Sequence, residues 1–372
     1  MTEESPAGFA GRSVWVMAKG YHPDEGGMQT YAQGVAEAWA ALGAIVTVFT
    51  QTSAGPRCER SGAIELIDIG PGKSPLVPLR LFTAMRERRA RVGAPALVHG
   101  TTWRTSVLPM LMGLPYVTTF HGREFMYGNT ATLGLMRAAA RRARLTVAVS
   151  HYSKRRLLER LGSLDRETLV AWNGLSRPAH APQARSAEAP LLFSLCRLEP
   201  RKNIAACVRA CAALHQAGIH FRYVIGGRGP ELARITALVE ELNLADVVEV
   251  AGYLDDARIA ALHAAADIFL HPQIEVDGGR DFEGFGITIA DAMAAETAVI
   301  VGSDGGTPEL IEPGSTGLVI DGRDDLALQT ALRRLLEDAP YRRKMAHAAG
   351  EHARSAFRWD RHVELIAQAL SA

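Results

Sequence analysis

The segment Glu283-Gly284-Phe285-Gly286-Ile287-Thr288-Ile289-Ala290-Asp291-Ala292-Met293-Ala294 decides how the rest of the chain is read. Its glycines form a turn that opens into an apolar helical run, so the first N–H groups of that helix face outward. Such a terminus carries about half a positive charge and favours an anion such as phosphate. Glu283 falls on the loop and Asp291 one to two turns into the helix. Two acceptor-only carboxylates near one phosphate suit the hydroxyls of a sugar and a ribose. An acidic first helical turn with a capping role fits the same residues.

Short apolar runs flank this segment, at residues 268–271 before it and 298–301 after it, giving strand, loop, helix, strand. Moving towards the N-terminus, the rhythm persists: strands at 191–196, 221–225 and 247–250, with helices after Lys202, after Pro230 and over 256–265. The first half repeats it with strands at 13–18, 44–50, 96–99, 116–120 and 145–150, and a helix over 28–42. This alternation predicts the α/β class: parallel sheets with helices on both faces. Residues 173–190 hold Pro178, Pro182 and Pro190 among Ala, Ser and charged residues, a linker composition. Two doubly wound, Rossmann-like domains are therefore expected, over 1–175 and 190–354, a division that the length of 372 residues supports. Ligands of such sheets bind beyond the carboxyl ends of the strands, so the expected site is an inter-domain cleft.

Composition narrows the class further. Hydrophobic residues make up 48% and charged residues 22%, as in ordinary globular enzymes, and no run approaches the ~20 apolar residues of a membrane span. The first twelve residues are polar and carry no basic, then apolar, leader pattern. The four cysteines form no CxxC pair, and Cys207 and Cys211, one helical turn apart, are expected as buried thiols in a reducing compartment. The net charge of +1 hides an asymmetry. Residues 1–178 carry 22 Lys and Arg against 13 Asp and Glu, and the remainder 19 against 27. Halves of opposite sign point to domains with different partners, and a codon bias towards Arg accounts for it equally well.

Three further motifs repeat the form of strand, turn and helix. In Ser194-Leu195-Cys196-Arg197-Leu198-Glu199-Pro200-Arg201-Lys202-Asn203, Arg197 and Lys202 supply a forked donor and a point charge suited to a diphosphate. Two solvated surface cations are the plain alternative. Ser303-Asp304-Gly305-Gly306-Thr307-Pro308-Glu309 offers backbone donors and Glu309 to the same ligand. Gly226-Gly227-Arg228-Gly229-Pro230 follows a strand but lacks the full G-x-G-x-x-G spacing, which excludes a nicotinamide dehydrogenase. Gly26-Gly27 opens the first helix, and His121-Gly122 closes the strand ending at Phe120, where a structural histidine is the plainer reading. Gly70-Pro71-Gly72-Lys73-Ser74 imitates the end of a P-loop, but Ile67 stands where its first glycine belongs, and a loop with no helix after it is expected.

Taken in order along nearly the whole chain, these motifs resemble the retaining glycosyltransferases of family four, which adopt the GT-B fold. By that resemblance Arg197 and Lys202 hold the diphosphate of a nucleotide sugar, and Glu283 contacts the transferred hexose. Gly26 and Gly27 approach the diphosphate, and His121 lies beside the sugar. Gly227, Gly284, Phe285, Gly286, Asp291 and Glu309 complete the donor site, with Asp291 replacing the family's second glutamate by a side chain one methylene shorter. No metal or other cofactor is expected. The implied chemistry is front-face substitution with retention. The acceptor hydroxyl attacks from the side the diphosphate leaves, and a donor phosphate oxygen takes its proton. Residues 355–372, with Phe357-Arg358-Trp359-Asp360, look like the family's last helix, which returns to the N-terminal domain. The same fold also serves a sugar-nucleotide hydrolase or epimerase, or a nucleotide-sugar-binding protein without transfer.

The resemblance places the acceptor in the N-terminal, basic half. Arg86, Arg88, Arg89 and Arg91 form one cluster, Arg137, Arg141, Arg142 and Arg144 a second on a predicted helix, and Lys154, Arg155 and Arg156 a third. Cations near an anionic bilayer contribute roughly 1 kcal/mol each. The expected partners are thus a nucleotide sugar and a lipid-linked, glycan or small-molecule acceptor, with no nucleic acid. The expected place is the cytoplasm, with the inner membrane face as a docking surface. The loop 274–281 is similar to that of GDP-mannose-using members and leans the donor towards GDP-mannose over UDP-sugars.

Overall fold

Most strands form where apolar and β-branched residues run together, because a parallel strand is covered on both faces and has little side for water. In the computed structural model, which describes residues 8–71, 76–176 and 189–371, the chain divides into two units. One comprises residues 1–176 and 358–372, the other residues 177–357. The linker expected over 173–190 lies mostly outside the described residues.

The first unit runs β1 (Ser13–Met17), α1 (Gly27–Ala41), β2 (Ile45–Thr50), β3 (Pro56–Ser61), β4 (Ile64–Ile69), α2 (Val77–Val92), β5 (Leu97–Gly100), α3 (Val107–Leu111) and β6 (Tyr116–Phe120). It continues with α4 (Arg123–Met126), α5 (Thr130–Arg142), β7 (Leu145–Ala148), α6 (His151–Leu161) and β8 (Thr168–Val170). Its eight strands form one sheet in the order β3-β4-β2-β1-β5-β6-β7-β8. Every neighbour is parallel except the β3–β4 hairpin at one edge.

The second unit runs β9 (Leu191–Leu195), a 3-10 turn at Pro200–Lys202, α7 (Ile204–Gln216), β10 (Arg222–Gly226), α8 (Leu232–Glu241), β11 (Val248–Gly252), α9 (Asp256–Ala265) and β12 (Ile268–His271). Then follow α10 (Ile287–Ala294), β13 (Ala298–Gly302), a 3-10 turn at Thr307–Leu310, β14 (Leu318–Ile320), α11 (Asp325–Glu337) and α12 (Ala339–Ala356). Six parallel strands lie in the order β11-β10-β9-β12-β13-β14. Both β12 and β13 are buried throughout. Cys207 and Cys211 are buried on α7 as free thiols.

Two sequence expectations need correction. A helix, α2, does follow the P-loop-like segment, whose residues 72–75 lie outside the described part. Pro78 sits in the first turn of α2, where its missing N–H costs nothing, and only Met85 is fully buried on that helix, so the apolar period is faint. The β3–β4 hairpin escaped notice because β3, reading PRCERS, is an exposed edge strand without an apolar run.

The last helix, α13 (Trp359–Ser371), belongs to the first unit. Its Trp359 ring fills space left open by Gly34 on α1 and Gly174, where an added Cβ would overlap the indole. Trp359 Nε1 donates to the Leu175 carbonyl at 2.8 Å. One turn on, His362 Nδ1 meets the Trp172 carbonyl at 2.9 Å and its Nε2 meets the Tyr31 hydroxyl at 3.0 Å. That hydroxyl also contacts Thr119 Oγ1 at 2.8 Å and His99 Nε2 at 3.1 Å. Burial pushes His99 well below its ordinary value and His362 down to about 4.

Two outcomes follow for the first unit, which holds all five tryptophans, so intrinsic fluorescence reports its unfolding alone. Gly34→Ala drives a methyl into Trp359 and is expected to cost about 1–3 kcal/mol. Gly134→Ala, mid-helix on α5 with open space around it, gains about 0.5–1 kcal/mol. Urea unfolding that ranks the two variants the other way refutes this packing. For pH, the unfolded chain takes up protons at His99 and His362 before the folded one does. Both contributions are full above the ordinary histidine value and fall with pH below it, that of His362 being lost as pH falls towards 4, up to about 3 kcal/mol. His362→Gln should flatten that acid limb; an unchanged limb would contradict the assignment.

Candidate functional site

In the second sheet β9 lies between β10 and β12, so successive crossovers leave in opposite directions and a crevice opens beyond the carboxyl ends of β9 and β12. The loops there carry the expected residues. After β9 the chain turns through Arg197 to the 3-10 turn that presents Lys202, and after β12 it runs from His271 to Glu283. Asn203, in the left-handed conformation, ends the 3-10 turn and donates to the Pro272 and Gly322 carbonyls, tying the two loops together.

Lys202 is 6% exposed, and its ammonium is ion-paired with Glu283. His271 Nε2 lies 3.4 Å from the same ammonium and 3.8 Å from Glu283. Arg201, beside Lys202, pairs with Glu199, with Asp281 at 3.6 Å and with Glu283 at 3.9 Å. Arg197 joins the group through Glu199 at 2.7 Å, but its side chain is 73% exposed. The sequence signal thus found Arg197, Lys202 and Glu283 and missed Glu199, Arg201, His271 and Asp281. Arg201 stood inside a quoted motif, yet nothing local said that it pairs with residues eighty positions away.

Burial alone would raise the Glu283 carboxyl. Lys202, the His271 contact and Arg201 override it and hold the group well below the usual carboxylate range. Burial, then the Lys202 charge, presses His271 down to about 4, so it is neutral at pH 7. The result is an ionised carboxylate and an ammonium held together with little access to water.

Glycines make this possible by close backbone approach. A Cβ on Gly227, whose φ is 129°, would overlap the Cys196 carbonyl, and one on Gly229 the Leu198 carbonyl. The Gly227-Arg228-Gly229 loop therefore lies flat on the Arg197 loop, with Leu198 N donating to the Arg228 carbonyl at 2.9 Å. Gly305, with φ 80°, packs on the backbone of Glu283, and Gly306 N donates to the Glu283 carbonyl at 2.8 Å. The Gly306 N–H expected to serve a phosphate is thus engaged in holding Glu283. Gly286 caps α10 in the left-handed region, and Gly284 is half-buried beside it. Phe285 departs from expectation: its ring is 3% exposed and packs edge-to-face on Phe357, so only its backbone remains for a ligand. Asp291 is half-buried on α10 and Glu309 half-buried in the Thr307–Leu310 turn.

The loop between His271 and Glu283 is a closed finger. Val276 bridges Asp281, Asp277, Gly278 and Gly279 are left-handed, and Arg280 pairs with Asp277 at 2.6 Å. Arg323 clamps its base through the Glu275 carbonyl at 2.9 Å and Asp304 at 2.6 Å.

The remaining expected residues belong to the first unit. Gly26 and Gly27 are exposed at the start of α1, Gly26 with φ 137°. His121 follows β6. Glu124 accepts from the His121 N–H at 2.6 Å, and the His121 carbonyl accepts from Ser153 at 3.1 Å. Its ring Nε2 lies 2.8 Å from the Thr101 carbonyl, which accepts only, so the proton sits on Nε2 and Nδ1 is an acceptor. Burial lowers the ring's affinity for a second proton.

Known proteins agree with this architecture. Residues 25–176 match the model of the family described as Glycosyltransferase Family 4, and residues 177–352 that of Glycosyl transferases group 1. A GDP-mannose-dependent alpha-(1-6)-phosphatidylinositol monomannoside mannosyltransferase of Mycolicibacterium smegmatis is 32% identical over 269 residues, 68% of this chain and 69% of that protein. The Mycobacterium tuberculosis protein of the same name is 35% identical over 176 residues, 47% of this chain, and the match spans about half of its length, 46%. In fold, the sucrose-phosphate synthase of Thermosynechococcus elongatus matches with a TM-score of 0.79 at 22% identity, over 96% of this chain and 98% of that one. Two parallel-sheet α/β units, both family models and the mycobacterial likeness lead to one conclusion: the chain belongs to the family 4, group 1 glycosyltransferases of GT-B fold.

Proposed function

We propose that the protein transfers a hexose from a nucleotide diphosphate sugar with retention of configuration and without a metal ion. The observation that carries this is the buried Lys202–Glu283 pair at the switch point of the second sheet. It sets a phosphate-binding cation beside a hydroxyl-accepting carboxylate. Lys202, with Arg197 and Arg201 nearby, stabilises charge developing on the leaving diphosphate, the part a divalent cation plays elsewhere. Glu283 accepts from a hexose hydroxyl, and Nδ1 of His121 accepts from another. The acceptor hydroxyl attacks on the face the diphosphate leaves, and a phosphate oxygen takes its proton. GDP-mannose is the favoured donor, on the names of the mycobacterial relatives and the closed 274–281 finger.

The acceptor we propose is lipid-linked and met at an anionic surface. Arg86, Arg89 and Arg91 on α2 and Arg141, Arg142 and Arg144 at the end of α5 are exposed. Arg88 is engaged by Glu65 at 2.6 Å, Lys154 by Glu167 at 3.1 Å, and Arg155 and Arg156 by Glu159 at 3.9 and 3.2 Å, which ties up four cations of the sequence-based clusters. No described helix is long and apolar enough to cross a membrane.

Incubated with GDP-mannose and a membrane extract, the wild type should release GDP only when acceptor is present, and EDTA should leave the rate unchanged. Lys202→Ala and Arg197→Ala should each lower turnover by about a hundredfold or more, the loss of one preorganised donor being worth ~2.7–4 kcal/mol. Wild-type rates in both variants would refute the site, donor binding without release would identify a binding protein, and release without acceptor a hydrolase. Vesicles containing phosphatidylglycerol should sediment the protein, and phosphatidylcholine alone should not. Equal sedimentation with both would discard the anionic surface.

A further inference from the structure

The buried group around Tyr31 can be resolved to the position of each proton. Trp39 Nε1 only donates, and it points at His99 Nδ1 from 3.2 Å, so that nitrogen is bare and the neutral ring carries its proton on Nε2. His99 Nε2 therefore donates, to the Tyr31 oxygen at 3.1 Å, with Thr119 Oγ1 at 3.2 Å sharing that proton. At the other end the Trp172 carbonyl only accepts, so His362 holds its proton on Nδ1 and leaves Nε2 bare. Tyr31 is then the donor to His362 Nε2 at 3.0 Å, and with its one proton used it must accept from Thr119 at 2.8 Å. The bonds run one way: Trp39 to His99, His99 to Tyr31, Tyr31 to His362, and His362 to the backbone at Trp172.

Every hydrogen-bonding position of the Tyr31 hydroxyl is filled, and its ring is braced edge-on by Trp359 at 5.5 Å. That ring also meets the His121 imidazole at 4.5 Å and 88°. Among the described residues the hydrogen bond of the His121 ring is the one to the Thr101 carbonyl, which fixes one nitrogen and does not by itself set the rotation of the ring about it. We infer that Tyr31 is a positioning residue for His121, locked by a one-way hydrogen-bond chain whose far end is His362 on the C-terminal helix. Helix α13 thus does more than cover the sheet: it sets the direction in which Nδ1 of His121 points. The inference rests on the role given to His121 above.

The test uses the full-length protein labelled with 15N at histidine. In the wild type the imidazole spectra should show the Nε2–H form for His99 and His121 and the Nδ1–H form for His362. Tyr31→Phe keeps the ring and removes the hydroxyl. It should shift the His121 resonances and lower kcat about tenfold, with the donor KM within about twofold. His362→Gln presents an amide N–H to Trp172 and an amide oxygen to Tyr31, and should retain most of kcat. His362→Leu should behave as Tyr31→Phe. Thr119→Val removes contacts to Tyr31 and to His99 but leaves the His99–Tyr31 and Tyr31–His362 bonds in place, so it should lower the fluorescence-detected unfolding midpoint without lowering kcat. A Tyr31→Phe protein that is less stable yet has unchanged kcat and unchanged His121 resonances overturns the inference. If the wild type transfers no sugar, the functional reading fails, and unshifted His121 resonances in Tyr31→Phe overturn the positioning separately.

Discussion

A lysine that keeps only 6% of its surface in water needs a partner for its charge, and Glu283 is that partner for Lys202. Desolvating two such ions costs several kcal/mol each, which only good geometry and further polar contacts offset. Much of the surrounding structure supplies that geometry. Gly227 and Gly229 bring one loop flat against the backbone on either side of Arg197, and Gly305 and Gly306 hold the backbone of Glu283. Arg201 stands between three carboxylates and ties the two loops at the switch point. A larger side chain at Gly227, Gly229 or Gly305 would overlap the backbone that carries these charges, so the glycine motifs are as much about electrostatics as about turns.

The first unit solves a similar problem with neutral groups. Its buried polar centre joins α1, β5, β6 and α13 through Tyr31, His99, Thr119 and His362. Neutral donors and acceptors cost far less to bury than ions, provided that each finds a partner. The directionality of the chain follows from that condition, since Trp39 can only donate and the Trp172 carbonyl can only accept.

Most of the parallel strands were legible because burial on both faces favours apolar runs, whereas the three-residue strands β8 and β14, only partly buried, were not read. Strands β6 and β12 begin and end where the sequence places them, and most others shift by one or two residues. The β3–β4 hairpin and α2 were not legible, since an edge strand and a mostly exposed helix leave a weak apolar signature. Within the site, Arg197, Lys202 and Glu283 could be read because each stands beside a glycine turn or a strand end. Asp281 and His271 could not, because their meaning comes from a partner brought near by the sheet, whereas Glu199 was overlooked although it pairs with its own neighbours Arg197 and Arg201. Phe285, inside the same legible motif as Glu283, turns its ring to the core against Phe357, which the motif alone did not tell.

Counting charges at the second-unit site gives a constraint that residue identity alone conceals. Arg197, Arg201 and Lys202 are balanced by Glu199, Asp281 and Glu283, and His271 is neutral. The sum is zero, so this is not a simple electropositive trap for anions. A diphosphate arriving at Lys202 meets the Glu283 carboxylate already on it, and like charges that close repel strongly in a site of low dielectric. A ligand that also brings hydroxyl donors to Glu283 offsets that repulsion, whereas a bare diphosphate does not. The carboxylate that holds Lys202 in place thereby favours a ligand carrying both phosphate and sugar over one carrying phosphate alone.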